Sequence, residues 1–229
     1  MIQPIQQGQA LLDDIHNTHP TTGQIALWWL GQSGFAVKTA SAQWYVDLYL
    51  SEHLTVKYAH TDLPHVRMTE APLRGADITE AALVFASHKH SDHLDPGTLP
   101  DLLTVSPQAR LILPAATVDH AVALGLPRER LIPTHGDETL TFGSLTVHVL
   151  PSAHPALDFD QQHGYPYLGF VFVVDGVRVY HSGDTVIYPG LAERLADHAP
   201  DILLLPINGQ HAGGRVAPNM TAAEAVALG

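Results

Sequence analysis

Four side chains that can bind metal ions lie close together near the middle of the chain. They are His88, His90, Asp92 and His93, in the pattern His-x-His-x-Asp-His. Two residues that stand two apart on an extended backbone point to the same side, so His88 and His90 can share one ion. The turn that follows can bring Asp92 and His93 to a second point in space. The spacing therefore suits two adjacent metal ions better than one.

The residues before this cluster predict where it lies in a fold. Residues 81–86 (AALVFA) are apolar throughout, which is typical of a buried parallel strand. The cluster therefore follows the carboxyl end of a strand, where open α/β sheets bind ligands. A histidine-rich surface loop without function is the alternative, since the chain contains 16 histidines. The ordered pattern at a strand end favours the metal site.

Two further segments bring metal-capable side chains to strand ends. His154 follows a strand predicted over residues 145–150, and Asp184 follows a strand predicted over residues 177–180. Each of these strands belongs to a predicted hairpin, with Gly143-Ser144 or Asp175-Gly176 at the turn. Three separate segments are thus expected to converge on one edge of a two-sheet α/β fold.

Asp47 is the one charged residue in an apolar strand predicted over residues 44–48. A carboxylate in such a strand needs a polar partner. It could accept a hydrogen bond from a metal-bound histidine and so orient the ring. An edge-strand aspartate that faces solvent is the alternative, and the residues alone do not separate the two.

Composition favours one globular domain over residues 1–229, since 45% of the residues are hydrophobic. The 11 Lys and Arg against 23 Asp and Glu give a net charge of −12, which argues against a nucleic-acid partner. The chain has no Cys, so neither a disulfide nor a thiolate metal site is expected. No signal peptide or membrane span is evident, and we expect a cytoplasmic protein that acts on a small molecule.

The order of the predicted elements indicates how the domain is organised. Residues 1–24 lead into the fold, three antiparallel strands follow up to residue 48, and strands alternate with helices over residues 81–133. A second β-rich half begins near Glu138. Residues 51–79 show no sustained periodicity, and we predict a loop over the mouth of the active site.

The metal motifs resemble those of the metallo-β-lactamase superfamily. Within that superfamily the chain resembles the L-ascorbate-6-phosphate lactonase branch, in residues 27–31 (LWWLG), 46–47 (VD), 88–95 (HKHSDHLD), 125–130 (GLPRER) and 180–184 (YHSGD). The resemblance spans about residues 25–229 and implies an αββα sandwich, with two mixed β-sheets flanked by helices. Residues 51–79 and 155–168, which should shape the pocket, differ from that branch.

The resemblance also implies the ligands of two divalent ions. One ion would lie on His88, His90 and His154, a second on Asp92 and His93, and Asp184 would bridge them. Imidazole and carboxylate ligands suit Mn²⁺ or Zn²⁺, and ligand identity alone does not choose between them.

One departure from the family pattern concerns the second ion. The family has a further histidine after its last strand, whereas this sequence stops at Gly229 at the end of a predicted helix. We therefore expect the last strand and helix to be missing and the second site to be incomplete, unless His211 substitutes. The open sheet edge would favour a homo-oligomer.

These features predict a metal-dependent hydrolase. A bridging water with its pKa lowered to ~7 would supply hydroxide as the nucleophile, and Asp92 would orient it. The resemblance implies a lactone or ester of a small phosphorylated sugar acid as the substrate. Arg67, Arg74 or Arg215 could meet its anionic group, and an ordinary surface arginine is the alternative at each position. A phosphodiesterase of the same fold and a non-catalytic metal-binding protein are the alternatives.

Overall fold

The computed structural model, which describes residues 1–209 and 217–229, is built on two mixed β-sheets. The first sheet has its six strands in chain order: β1 (Ala26–Gly31), β2 (Gly34–Lys38), β3 (Gln43–Val46), β4 (Leu83–Phe85), β5 (Arg110–Pro114) and β6 (Leu131–Thr134). Strands β1 to β3 pair antiparallel, and β3 to β6 pair parallel. The predicted meander and the βαβ region that follows it therefore form one continuous sheet.

The second sheet has five strands in the spatial order β11-β10-β9-β8-β7. They are β7 (Glu138–Phe142), β8 (Leu145–Pro151), β9 (Leu168–Val174), β10 (Val177–His181) and β11 (Ile202–Leu204). Strands β7 to β10 are antiparallel neighbours, and β11 joins β10 in parallel. Both predicted hairpins, β7–β8 and β9–β10, are present.

In the part of the chain that the structure describes, six short α-helices accompany the sheets. They are α1 (Gly8–Asn17), α2 (His53–Tyr58), α3 (Leu99–Val105), α4 (Val118–Ala123), α5 (Leu191–His198) and α6 (Ala222–Leu228). Within residues 1–209 and 217–229, no helix has the length and apolar character needed to cross a membrane.

The core lies between the sheets and beneath the helices. Trp44 and Phe85 of the first sheet face Phe172 of the second, with ring centroids 4.9 Å apart in both pairs. Strand β5 shows why a parallel strand is apolar on both faces, because Ile112 packs into this layer while Leu111 and Leu113 face the helices. Helices α1, α3 and α4 cover the outer face of the first sheet, and α5 covers that of the second. The predicted αββα sandwich is confirmed.

Two local predictions are corrected. Strand β3 ends at Val46, so Asp47 lies just outside it, with a left-handed backbone at φ 47°. Residues 51–79 are not wholly irregular, because they contain α2 and a 3₁₀ turn over Gly75–Asp77. That segment packs on the N-terminal residues, where Ile2 pairs with Thr69.

Candidate metal centre

The topology brings the metal-capable side chains to one end of the sandwich. Strands β3 and β4 run parallel, so Asp47 and the cluster that begins at His88 emerge at the same sheet edge. Strands β8 and β10 both run antiparallel to β9, so His154 and Asp184 follow ends on one edge of the second sheet. The three predicted segments do converge.

A close contact between backbone segments makes this convergence possible. Gly183 has a φ of 59°, and a Cβ built on it would lie 2.6 Å from the Cβ of Ser87. Any larger residue would push the loop after β10 away from the loop after β4. Glycine at this position therefore lets Asp184 approach the histidines.

His88, His90 and His154 form the first group of ligand atoms, all within 4.8 Å of one another. Nε2 of His88 lies 2.9 Å from Nδ1 of His90. Burial lowers the pKa of all three imidazoles, and that of His88 falls furthest. The rings are therefore neutral near pH 7 and can offer nitrogen lone pairs to an ion.

His88, His93 and Asp184 form a second group that meets the same distance limit. One carboxylate oxygen of Asp184 lies 3.4 Å from Nε2 of His93, and the other lies 3.5 Å from Nε2 of His154. Burial alone would raise the pKa of Asp184, but the surrounding imidazoles hold it well below its ordinary value. The carboxylate faces both groups, as a bridging ligand would.

Asp92 lies at the edge of the second group. Its Oδ2 is 3.9 Å from Nε2 of His93, and the side chain is partly exposed. The carboxylate of Asp184 is therefore closer to His93 than the carboxylate of Asp92 is.

Asp47 is fully buried beneath this cluster. Its Oδ2 lies 2.7 Å from Nδ1 of His93 and also accepts a hydrogen bond of 2.7 Å from the Ser87 hydroxyl. Burial opposes protonation of His93, yet the carboxylates of Asp184, Asp47 and Asp92 together raise its pKa well above the ordinary value. Asp47 thereby turns Nε2 of His93 towards Asp184, and the solvent-facing alternative for Asp47 is wrong.

The segments that carry His88 to Asp184 lie within a domain shared with a known protein family. The model of the family described as "Beta-lactamase superfamily domain" matches residues 58–228. This chain belongs to the β-lactamase superfamily. The predicted resemblance is confirmed.

Several superfamily relatives are named as metal-dependent hydrolases or lactonases. A metal-dependent hydrolase of Opitutus terrae is 30% identical over 185 residues, which cover 79% of this chain and 71% of that protein. A probable L-ascorbate-6-phosphate lactonase of Escherichia coli is 24% identical over 254 residues, covering 97% of this chain and 70% of that protein.

Other matches differ in length or in sequence. An uncharacterised protein of Mycobacterium tuberculosis is 29% identical over 142 residues, which cover 62% of this chain but only 38% of that protein. The crystal structure of isothiocyanate hydrolase from Delia radicum gut bacteria has a TM-score of 0.69 at 18% identity, covering 90% of this chain and 79% of that one. That likeness shows a shared fold.

The donor set in this superfamily member fits divalent transition-metal ions. Two overlapping groups of imidazole and carboxylate atoms lie within 4.8 Å, with no thiolate among them. Zinc–imidazole bonds of about 2.0–2.1 Å put neighbouring ligand atoms of a tetrahedral site about 3.4 Å apart. Ligand atoms at the far limit of either group would therefore have to move closer together to bind one ion.

Sequence reasoning missed three residues around the centre. The Ser87 hydroxyl lies 3.0 Å from Nδ1 of His88, which leaves Nε2 of that ring for an ion. The ring of Tyr167 packs 5.3 Å from His88 and 5.4 Å from His154, centroid to centroid. Its place in the pocket-shaping segment 155–168 was the one available signal.

His181 is the third residue that sequence reasoning missed. It is buried, and its Nε2 donates a hydrogen bond of 2.8 Å to the Ser33 carbonyl, while its Nδ1 accepts one of 3.1 Å from the Gly183 amide. The side chain joins the turn between β1 and β2 to the loop that carries Asp184. Its position next to that predicted ligand was the signal in the sequence.

Asp95 anchors the other end of the histidine loop. Its buried carboxylate accepts hydrogen bonds from the hydroxyls of Ser51 and Thr98, at 2.8 and 2.5 Å, and from the Gly97 amide at 2.8 Å. These contacts tie the end of the histidine loop to the segment after β3. Asp95 therefore has a structural role.

Two of the three arginines predicted to meet an anionic substrate group are engaged elsewhere. Arg67 is 2% exposed and donates to the carbonyls of Tyr49 and Thr69, at 2.7 and 2.6 Å. Arg74 pairs with Asp77 at 2.6 Å. Arg215, like His211, lies outside the described residues.

A cavity of about 460 Å³ opens beside the metal ligands. Its lining includes Asp92, His181, Gly183 and Asp184. Among the described residues, the lining includes none from the segment 51–79, so the predicted cover over the site stays a prediction.

Proposed function

We propose that this protein is a metal-dependent hydrolase that cleaves a lactone or an ester. The observation that carries the proposal is the pair of overlapping ligand groups, which share His88 and have the Asp184 carboxylate between them. A cavity large enough for a small molecule borders Asp184 and Asp92. Divalent ions bound there would lower the pKa of water and polarise a carbonyl group.

The ligands divide between two ions in this proposal. His88, His90 and His154 would hold the first ion, Asp92 and His93 the second, and Asp184 both. Zn²⁺ and Mn²⁺ both accept this combination of imidazole and carboxylate donors. In this arrangement His93 donates its Nδ1–H to Asp47 and His88 donates its Nδ1–H to the Ser87 hydroxyl, which would fix the ring tautomers so that Nε2 faces the ion in each case.

Asp92 is the proposed catalytic residue. Its carboxylate is partly exposed and lines the cavity, so it can accept a hydrogen bond from the attacking water. After attack, the proton that it has received can pass to the leaving oxygen of the ester or lactone.

The phosphorylated sugar acid predicted from the resemblance has limited support. It rests on the name of the lactonase relative, and both described candidate arginines bind other groups. We therefore propose the reaction class, ester or lactone hydrolysis, ahead of that substrate.

The test is a double variant in which two ligands of the first ion are removed. We expect His88→Ala with His90→Ala to lose at least one metal equivalent per chain and to reduce lactone or ester hydrolysis by about 100-fold or more, since even outer ligand contacts contribute 10–100-fold. Metal would be measured by inductively coupled plasma mass spectrometry. The matched control is His16→Ala with His19→Ala, because both histidines are exposed.

The outcomes separate the proposal from its alternatives. Retention of both metal and hydrolysis in the double variant would contradict the proposed site. Two bound ions without turnover of any lactone or ester would indicate a non-catalytic metal-binding protein. Cleavage of bis-p-nitrophenyl phosphate in place of lactones would indicate a phosphodiesterase.

A further inference from the structure

We infer that the substrate carries an apolar group, which binds between Trp29 and Ile207 while its scissile bond lies at Asp92 and Asp184. This inference rests on the proposed function and adds a substrate class to it. An aliphatic or aromatic ester or lactone would satisfy it.

The cavity has both polar and apolar lining. Besides Asp92 and Asp184, the polar lining comes from Gln32, Ser33, His181, Asn208 and Asn219. The apolar lining comes from Trp29, Phe35, Leu203, Leu204, Leu205, Pro206 and Ile207. A substrate held at the two carboxylates would therefore also meet hydrocarbon surface in the same cavity. Pockets of this kind bind the apolar part of a ligand and use a few polar groups to orient it.

Trp29 presents its ring to this cavity. The side chain is 58% exposed, although its neighbour Leu30 is buried. Its indole N–H donates a hydrogen bond of 2.8 Å to the Gln32 carbonyl, so the polar atom is already satisfied. The exposed remainder of the indole is apolar and is held in place by its own turn.

Another part of the apolar lining comes from the chain after β11. Ile207 is 63% exposed, and Leu205 is partly buried. A single exposed apolar side chain is common on protein surfaces. Leu205 and Ile207, however, line the same cavity as Trp29, beside the predicted metal ligands. This arrangement is expected where a ligand supplies the missing contacts.

The charges around the cavity agree with an apolar group. Among the described lining residues, the aspartates are the charged side chains, and none is Lys or Arg. The carboxylates serve the proposed ions, and the described lining offers no cationic side chain to pair with a phosphate. A hydrocarbon group, by contrast, gains from leaving water at this wall.

The test compares two inhibitors that bind metal through the same group. Acetohydroxamate and octanohydroxamate differ by six methylenes, and their binding to Zn²⁺-loaded protein would be measured by isothermal titration calorimetry. We expect octanohydroxamate to bind at least about tenfold more tightly, which requires burial of only about two methylenes. Trp29→Ala and Ile207→Ser should each remove most of this preference, whereas Trp29→Phe should retain it.

The control variant is Ile5→Ser, because Ile5 is fully exposed far along the chain from the cavity residues and should not affect either inhibitor. Equal binding of the two inhibitors would overturn the inference and leave the metal centre intact. A preference that survives both Trp29→Ala and Ile207→Ser would also overturn it. If neither inhibitor binds, the proposed function fails together with the inference.

Discussion

At the scale of single residues, the site depends on how its buried ligands are oriented. Asp47 makes no contact with the cavity, yet it holds His93 through Nδ1 and Ser87 through both its amide and its hydroxyl, each at 2.7 Å. Ser87 in turn contacts His88. One carboxylate thus sets the direction of two rings, and its removal should affect metal binding before it affects the fold of distant elements.

We predict that Asp47→Asn lowers the affinity for the more weakly held ion by about 10–100-fold, because outer contacts tune ligand rings to that extent. Competition with a chromophoric chelator would measure the affinity. Asp13→Asn is the matched control, since Asp13 is exposed on α1. Equal affinities in the wild type and Asp47→Asn would show that the hydrogen bond to His93 has no role in metal binding.

At the scale of elements, His181 connects two turns that belong to different sheets. It is the last residue of β10. It contacts Ser33 in the turn between β1 and β2 as well as Gly183 before the predicted ligand Asp184. The rings of His181 and Phe35 also pack edge to face, with their centroids 6.0 Å apart, which adds an apolar contact between the two sheets. The turn beside Trp29 is therefore positioned by the same residue that holds the Asp184 loop.

We predict that His181→Ala increases amide hydrogen exchange in the peptide spanning residues 29–36 by about tenfold, since loss of one buried hydrogen bond costs about 1–2 kcal/mol. Mass spectrometry would follow the exchange. His148→Ala should leave this peptide unchanged, because His148 contacts Thr139 in the second sheet. Unchanged exchange in His181→Ala would show that other contacts hold the turn.

At the scale of the whole molecule, several histidines titrate differently in the folded and unfolded states. Burial lowers the pKa of the histidines at positions 88, 90, 154 and 181, so the folded protein resists protonating them. The unfolded chain takes up these protons as the pH falls below about 6.5. His93 behaves in the opposite way, because its pKa is raised in the folded protein. Its contribution to the free energy of unfolding is fully present below about pH 6.5 and is lost as the pH rises through the raised pKa.

We therefore predict that the metal-free protein loses roughly 1–3 kcal/mol of its free energy of unfolding between pH 7.5 and pH 5.5, since each unit of pKa difference is worth about 1.4 kcal/mol. Urea denaturation at the two pH values would measure this loss. Saturating Zn²⁺ should stabilise the protein most at pH 7.5, because protons compete with the ion for the same nitrogens. An increase in stability on acidification of the metal-free protein would contradict the burial of neutral histidines.

Sequence patterns predicted the parts of this protein that depend on near neighbours along the chain. The apolar runs on either side of turn residues indicated both hairpins of the second sheet, β7–β8 and β9–β10. The two-residue spacing of His88 and His90 placed them side by side, because it follows directly from backbone geometry. Local periodicity carries such information since each element must bury one face.

Only the tertiary structure decided which distant groups meet. Three contacts join residues 16 to 148 positions apart in the sequence. They are the hydrogen bonds of Arg67 to Ser51, of His93 to Asp47 and of His181 to Ser33. The same is true of the cavity, which Trp29 and Ile207 both line. These contacts arise when two sheets pack face to face and bring their loops together, and spacing along the chain does not encode that packing. The sequence by itself determined which residues could bind metal, whereas the packing determined how they are held and what lies beside them.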